Sequence, residues 1–120
     1  MSDTILLEGI QVPAALGVTQ AERRMRRPVE IDLRLGIDLR RSGASDQLAD
    51  TIDYAQVYEV VAKVAGAREH RLVEALGQRI CDALFESFPG VDRVWIRIRK
   101  IAPFAAPVRT AGVELERRRE

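Results

Sequence analysis

Between Pro28 and Arg40, apolar and polar residues alternate almost without a break. Val29, Ile31, Leu33, Leu35, Ile37 and Leu39 fall on one side, and Glu30, Asp32, Arg34, Asp38 and Arg40 on the other. A helix returns to the same face every third or fourth residue, whereas a strand does so every second residue. Six successive matches to a period of two leave little room for a helix. The segment predicts a strand with one face on a core and one toward water, opened by a proline that a strand tolerates at its first position. Whatever else the chain forms must cover that apolar face.

The remaining elements follow from the same kind of pattern. Residues 4–12 predict a first strand, ended by Pro13; a loop with Gly17 and the charged stretch 22–27 follows. Residues 42–46 (Ser-Gly-Ala-Ser-Asp) predict a loop. From Tyr54 the period changes, with Val57, Tyr58, Val61 and Val64 recurring at three and four; Asp53 stands ahead as N-cap, and Gly66 interrupts near the end. A second helix is predicted over 72–88, with Val73, Leu76, Ile80, Ala83 and Leu84 on one stripe and Pro89-Gly90 as its stop. Strands at 94–100 and 112–116 complete the chain. The order β-β-α-α-β-β predicts an α+β fold: a four-stranded antiparallel sheet with two helices on one face. Its edges must be blunted or paired with another subunit.

The chain has 120 residues, enough for a single domain over 1–120. Nineteen basic against 18 acidic residues leave a formal charge of +1, so no global field recruits nucleic acid or an anionic membrane. The arginine pairs 23–24 and 26–27 and the triplet 117–119 have acidic neighbours and predict a solvated surface. Cys81 has no second cysteine to pair with and lies in an apolar helical pattern, which fits a buried thiol and a reducing compartment. No basic-apolar leader opens the sequence and no apolar run approaches membrane-spanning length, so the expectation is a soluble, cytoplasmic protein. One histidine, His70, and one cysteine do not make a common metal site, and no Gly-rich phosphate loop is present. His70, set within Arg68-Glu69-His70-Arg71, is a poor candidate for a catalytic triad. The expectation is a chain that works without metal or nucleotide cofactor.

Four residues could carry chemistry. Seventeen cations are Arg and only two are Lys, and one of the two, Lys100, closes a strand-like run. Arginine keeps its proton, whereas a partly buried lysine can exchange one; any cation would equally suit a surface strand end. Glu22 lies among arginines, where a surface ion pair is the plain alternative. Tyr54 heads a helix and could simply fill the core with its hydroxyl at the rim. Glu74 falls in the first turn of the second helix, where any carboxylate complements the macrodipole. Taken together they suggest more. A carboxylate among free helix N–H groups suits the edge of an amino-pyrimidinone ring, and a lysine, a tyrosine and a second carboxylate remain for proton transfer.

In their surroundings these residues resemble the dihydroneopterin aldolases. The carrying words are Leu16-Gly17-Val18 followed by Glu22, Asp50-Thr51-Ile52-Asp53-Tyr54-Ala55-Gln56-Val57, Leu72-Val73-Glu74-Ala75-Leu76, Ile98-Arg99-Lys100, and Gly112-Val113-Glu114-Leu115-Glu116-Arg117. They stand in family order at family spacing and cover nearly the whole chain. The resemblance implies the tunnelling fold and a lyase of folate biosynthesis that needs no cofactor. It would cleave 7,8-dihydroneopterin by a retro-aldol step to 6-hydroxymethyl-7,8-dihydropterin and glycolaldehyde, with the pterin ring as electron sink. Glu74 would hold the pterin edge, with backbone groups near Val73 and Ile52 completing the pocket. Lys100, Glu22 and water would move protons, and Tyr54 would reach in from a neighbouring subunit of a homo-oligomer, a ring of four or two such rings. Leu16 departs from the His that many members carry before Gly-Val, and the loop 101–107 departs from the usual sequence after the lysine.

Three other readings stand beside it. Dihydroneopterin triphosphate epimerases share the fold and the polar residues and carry an aliphatic residue at the Leu16 position. A non-catalytic pterin- or purine-binding module would need Glu74 but would have little use for Lys100 and Tyr54 together. A nucleic-acid surface built on the arginine clusters is opposed by the near-neutral charge and the few aromatic residues.

Overall fold

The computed structural model describes residues 3–103 and 107–120. Strand β1 (Thr4–Pro13) is followed by a short helix α1 (Gln20–Met25) and strand β2 (Pro28–Gly36). A second short helix α2 (Arg40–Ser45) and a 3-10 turn (Leu48–Asp50) lead to the long helices α3 (Tyr54–Ala67) and α4 (Val73–Ser87). Strands β3 (Arg93–Ile101) and β4 (Thr110–Arg118) close the chain. The sheet has the order β1-β2-β3-β4 with every pair antiparallel, as expected from the element order.

One face of the sheet carries the core. Ile31, Leu33 and Leu35 of β2 lie opposite Ile98, Ile96 and Val94 of β3, all buried, and the buried Val29 continues the β2 row opposite Lys100. Above them α3 inserts Val57, Val61 and Ala65, and α4 inserts Leu76, Ile80, Cys81 and Leu84. Helix α3 packs on β1, while α4 packs on β3 and β4. A side chain at Gly77 would approach Leu115 Cδ1 to 2.8 Å, so its absence lets α4 sit close against β4.

Strand β2 ends earlier than its alternation suggests. Ile37 is still buried, but its N–H donates to the Asp3 carbonyl, outside the β2–β3 ladder. Leu39 N–H donates to Asp3 Oδ2 (3.0 Å) and Arg40 N–H to Asp38 Oδ1 (3.0 Å), which turns the chain into α2. The alternating pattern reports burial, and burial outlasts the hydrogen bonds of the sheet. The predicted loop at 42–46 is thus mostly helix, and the predicted loop around Glu22 contains α1.

The other face of the sheet is polar and organised around Asp32, which is only 5% exposed. Its Oδ1 accepts Gly9 N–H at 2.7 Å; its Oδ2 accepts Arg97 Nη2 at 2.7 Å, Arg97 Nε at 3.0 Å and Arg99 Nη2 at 3.1 Å. Gly9 has φ +72° and lies where β1 slips its register between Leu7 and Ile10. This is a bulge that delivers an extra backbone donor to the carboxylate. Burial pushes the Asp32 pKa up, but the Gly9 bond, the Arg97 bond and the two guanidinium charges outweigh it and lower the pKa. Beside this group, Arg34 lies over the Trp95 ring at 4.3 Å.

Replacing Asp32 with Ala is expected to cost about 2–3 kcal/mol, the range for hydrogen bonds to a charged group, read as a urea midpoint shift at neutral pH. Because the folded pKa is depressed, this stabilisation is complete above the unfolded value of about 3.9 and is lost as pH falls through the folded value. Unfolding curves of Asp32→Ala are therefore expected to converge on those of the parent as the solution is made acidic.

Candidate active site

Lys100 continues the core-facing row of β3 after Val94, Ile96 and Ile98, between Val29 of β2 and Ala111 of β4. Near the strand end the apolar cover runs out, and its side chain emerges 23% exposed. There Nζ donates to Glu22 Oε2 at 3.1 Å. Glu22 is held in place by its own short helix: Thr19 Oγ1 accepts Glu22 N–H (3.2 Å), and Glu22 Oε1 accepts the Thr19 N–H (3.4 Å) and hydroxyl (3.2 Å). This capping box uses one carboxylate oxygen and leaves the other for Lys100. The preceding turn crowds against it, since a Cβ at Gly17 would lie 2.8 Å from Glu22 Cδ. The hydrogen bond from Lys100, then that from the Thr19 backbone and the lysine charge, lower the Glu22 pKa, so Glu22 is a carboxylate at neutral pH.

The pair stands between two depressions and lines both. One, of about 480 Å³, is also walled by Val73, Glu74, Pro103, Ala111, Gly112 and Val113. Glu74 occupies the first turn of α4, where Leu72 provides no side-chain cap. The N–H groups that open any α-helix have no acceptor within it, so those of Val73 and Glu74 are available beside the carboxylate. On the facing wall a Cβ at Gly112 would run into the Ile98 carbonyl oxygen, so this part of the pocket is bare backbone. The second depression, of about 470 Å³, has Leu16, Met25, Pro28, Val29 and Ile101 along it and Arg27 at its side. The arrangement offers a charged acceptor, neighbouring backbone donors and a Lys–Glu ion pair on the walls of one depression.

The structure thus gathers Lys100, Glu22, Glu74 and Val73. It does not bring Tyr54 or Ile52 to them: neither lines either depression. Tyr54, the first residue of α3, is 67% exposed, and α3 packs over β1 while Glu74 rides on α4 over β3 and β4. Sequence reasoning missed α1, although Thr19-Gln20-Ala21-Glu22 spells a capping box, and it read Gly112 as the start of a strand and part of the resemblance, not as a wall of the site. The departing loop 101–107 reaches both depressions through Pro103; its residues 104–106 lie outside the described residues.

Among the described residues, no three His, Cys, Asp or Glu side chains converge as a metal site, and no helix is long and apolar enough to cross a membrane. Cys81 is fully buried in α4, and burial pushes its thiol up to about 11, which removes it from nucleophilic chemistry.

Comparison with known proteins points the same way. The dihydroneopterin aldolase (FolB) family model matches residues 5–116. Dihydroneopterin aldolase of Streptococcus pyogenes serotype M1 is 34% identical over 118 residues, covering 98% of this chain and 99% of that one. The dihydroneopterin aldolase of Methylorubrum extorquens is 34% identical over 120 residues, covering 99% of this chain and 92% of its own. The crystal structure of E. coli dihydroneopterin aldolase in complex with neopterin superposes with a TM-score of 0.89 at 26% identity, covering 96% of this chain and 98% of that one. With its four-stranded sheet, its Glu22–Lys100 pair and relatives matched over nearly their full length, the chain belongs to the dihydroneopterin aldolase family.

Proposed function

We propose that this chain is a 7,8-dihydroneopterin aldolase of folate biosynthesis, working as a carbon-carbon lyase without cofactor on a single domain. The observation that carries the reading is the 3.1 Å contact between Lys100 and Glu22 on the wall of the depression that also holds Glu74. Glu74 accepts the pterin 2-amino and ring N–H donors, and the first N–H groups of α4 at Val73 meet the adjoining ring edge. The substrate side chain then lies against Lys100 and Glu22, which with water take the proton from its second hydroxyl. The bond between the first and second side-chain carbons breaks. Its electron pair moves into the ring imine, and glycolaldehyde leaves. A proton returned to the first side-chain carbon completes 6-hydroxymethyl-7,8-dihydropterin.

Tyr54 and Ile52 enter this site from a second copy of the chain. Three features support that reading: Tyr54 is exposed, β1 and β4 are both open edges, and the exposed apolar side chains Leu48 and Tyr58 surround the start of α3. Pairing β4 of one copy with β1 of the next sets α4 beside the neighbour's α3, and repetition closes a ring of four that can stack into an octamer. Tyr54 relays the proton to the enol-like intermediate there. The lone buried thiol accords with a reducing, cytoplasmic setting.

Product analysis with 7,8-dihydroneopterin is expected to give glycolaldehyde and 6-hydroxymethyl-7,8-dihydropterin; the 2′-epimer as the only product would assign an epimerase. Lys100→Arg is expected to bind pterin like the parent and turn over about a hundredfold to ten-thousandfold more slowly, because it keeps charge but not proton exchange. Glu74→Ala shows the reverse split, losing about 2–3 kcal/mol of pterin affinity by titration calorimetry.

Mixing two inactive variants tests the shared site. Tyr54→Phe and Lys100→Met, unfolded together and refolded, are expected to regain activity that neither has alone, since some interfaces then combine an intact Tyr54 with an intact Lys100. No recovery, with native mass spectrometry showing mixed oligomers, would place Tyr54 and Lys100 of one chain in one site.

A further inference from the structure

The aldol chemistry makes no use of a strongly basic depression elsewhere on the described residues. Arg23 of α1, Arg68 and Arg71 of the α3–α4 connection and Arg79 of α4 surround a hollow of about 330 Å³, with Glu69 as its one carboxylate. It shares no lining residue with the two depressions at Lys100. Arg23 is already committed, at 3.5 Å from Glu69 and bonded to the carbonyls of Gly17 (3.0 Å) and Val18 (2.9 Å). Three guanidinium groups therefore remain without a carboxylate on the wall.

His70 forms part of that wall and is only 5% exposed. Its main chain is clamped to the turn before α1: its N–H donates to the Ala15 carbonyl (2.9 Å), and its carbonyl accepts Gly17 N–H (3.1 Å). Its Nε2 lies just beneath the wall, with almost no surface open to the hollow, and has no partner among the described residues. Burial lowers the His70 pKa, Arg79 and Arg68 lower it further, and a hydrogen bond to the Arg68 main chain opposes them. The ring is thus neutral at pH 7, and its Nε2 is left without a partner.

We propose that this hollow binds a phosphate group, held by Arg68, Arg71 and Arg79 and, once the wall over His70 shifts to uncover it, by the Nε2–H of a His70 that takes up a proton as the anion enters. Guanidinium forks match the oxygens of a phosphate. The anion supplies the charge that a protonated His70 lacks in the empty hollow, where the charged groups facing it are four arginines and a single glutamate. Binding therefore consumes a proton and strengthens as pH falls.

Titration calorimetry of the full chain with sulfate, inorganic phosphate and tripolyphosphate tests this at about pH 6 and about pH 8, on either side of the ordinary histidine range. Phosphate groups change charge near about pH 6, whereas sulfate stays a dianion, so the sulfate series isolates the protein's proton. Sulfate affinity is expected to fall with rising pH, by up to about tenfold for each unit by which the anion raises the His70 pKa. Arg79→Gln, on an exposed part of α4, is expected to weaken binding at both pH values and leave aldol turnover without added anion unchanged. His70→Gln is expected to remove the pH dependence. Should that variant not fold, the ¹⁵N shifts of the parent His70 ring report the same protonation on adding sulfate. Markedly tighter tripolyphosphate assigns the tail of a phosphorylated small molecule, and equal affinities assign free phosphate. No binding, or binding indifferent to Arg79→Gln and to pH, an adventitious ion only, would overturn the proposal. Neither result bears on the product analysis above.

Discussion

The carboxylate of Asp32 ties three of the four strands to one point. It belongs to β2, takes a backbone donor from the β1 bulge and gathers two guanidinium groups from β3. A buried carboxylate is costly unless its oxygens are filled, so only a register that brings Gly9, Arg97 and Arg99 together is acceptable. In a sheet with one apolar face, a slip of one residue turns every side chain to the opposite side. Such a slip in β3 would send Ile96 and Ile98 into water and turn Lys100 to the face where Arg97 and Arg99 now stand. The position of the candidate proton-transfer group is thus set on the far side of the sheet from where it acts.

The site combines parts with different origins. Glu22 is oriented locally, by a capping box within four residues, whereas Lys100 arrives from 78 positions further along the chain through the sheet. Helix α4 is brought down by the absence of a side chain at Gly77, and the opposite wall is kept thin by the absence of one at Gly112. Rigid elements carry all of these groups, which favours accurate positioning of a flat ligand.

What could be read from the sequence depended on how far each signal reaches. The two-residue period of β2 and the helical stripes of α3 and α4 are repeated many times and report the core directly, so the sheet, the helices and their order were legible. Ile37 and Leu39 misled because alternation records which side chain is covered, not which N–H finds a strand. Helix α1 has six residues, too few for any apolar stripe, and none of them is buried; its only signal was Thr19 with Glu22. Lys100 and Glu22 were recognisable singly, but their contact crosses the fold and depends on the register. The separation of Tyr54 from Glu74 was legible only through resemblance, because it depends on which helix covers which strands.

Cys81 has a practical corollary. Its sulfur is fully buried and its thiol is held near 11, so it stays unreactive toward maleimides and similar reagents while the protein is folded. The native chain is therefore already a blank background for site-directed labelling. A cysteine added on the surface would be the one reactive position, and a fluorophore or spin probe attached there could be read without first removing a residue from the core.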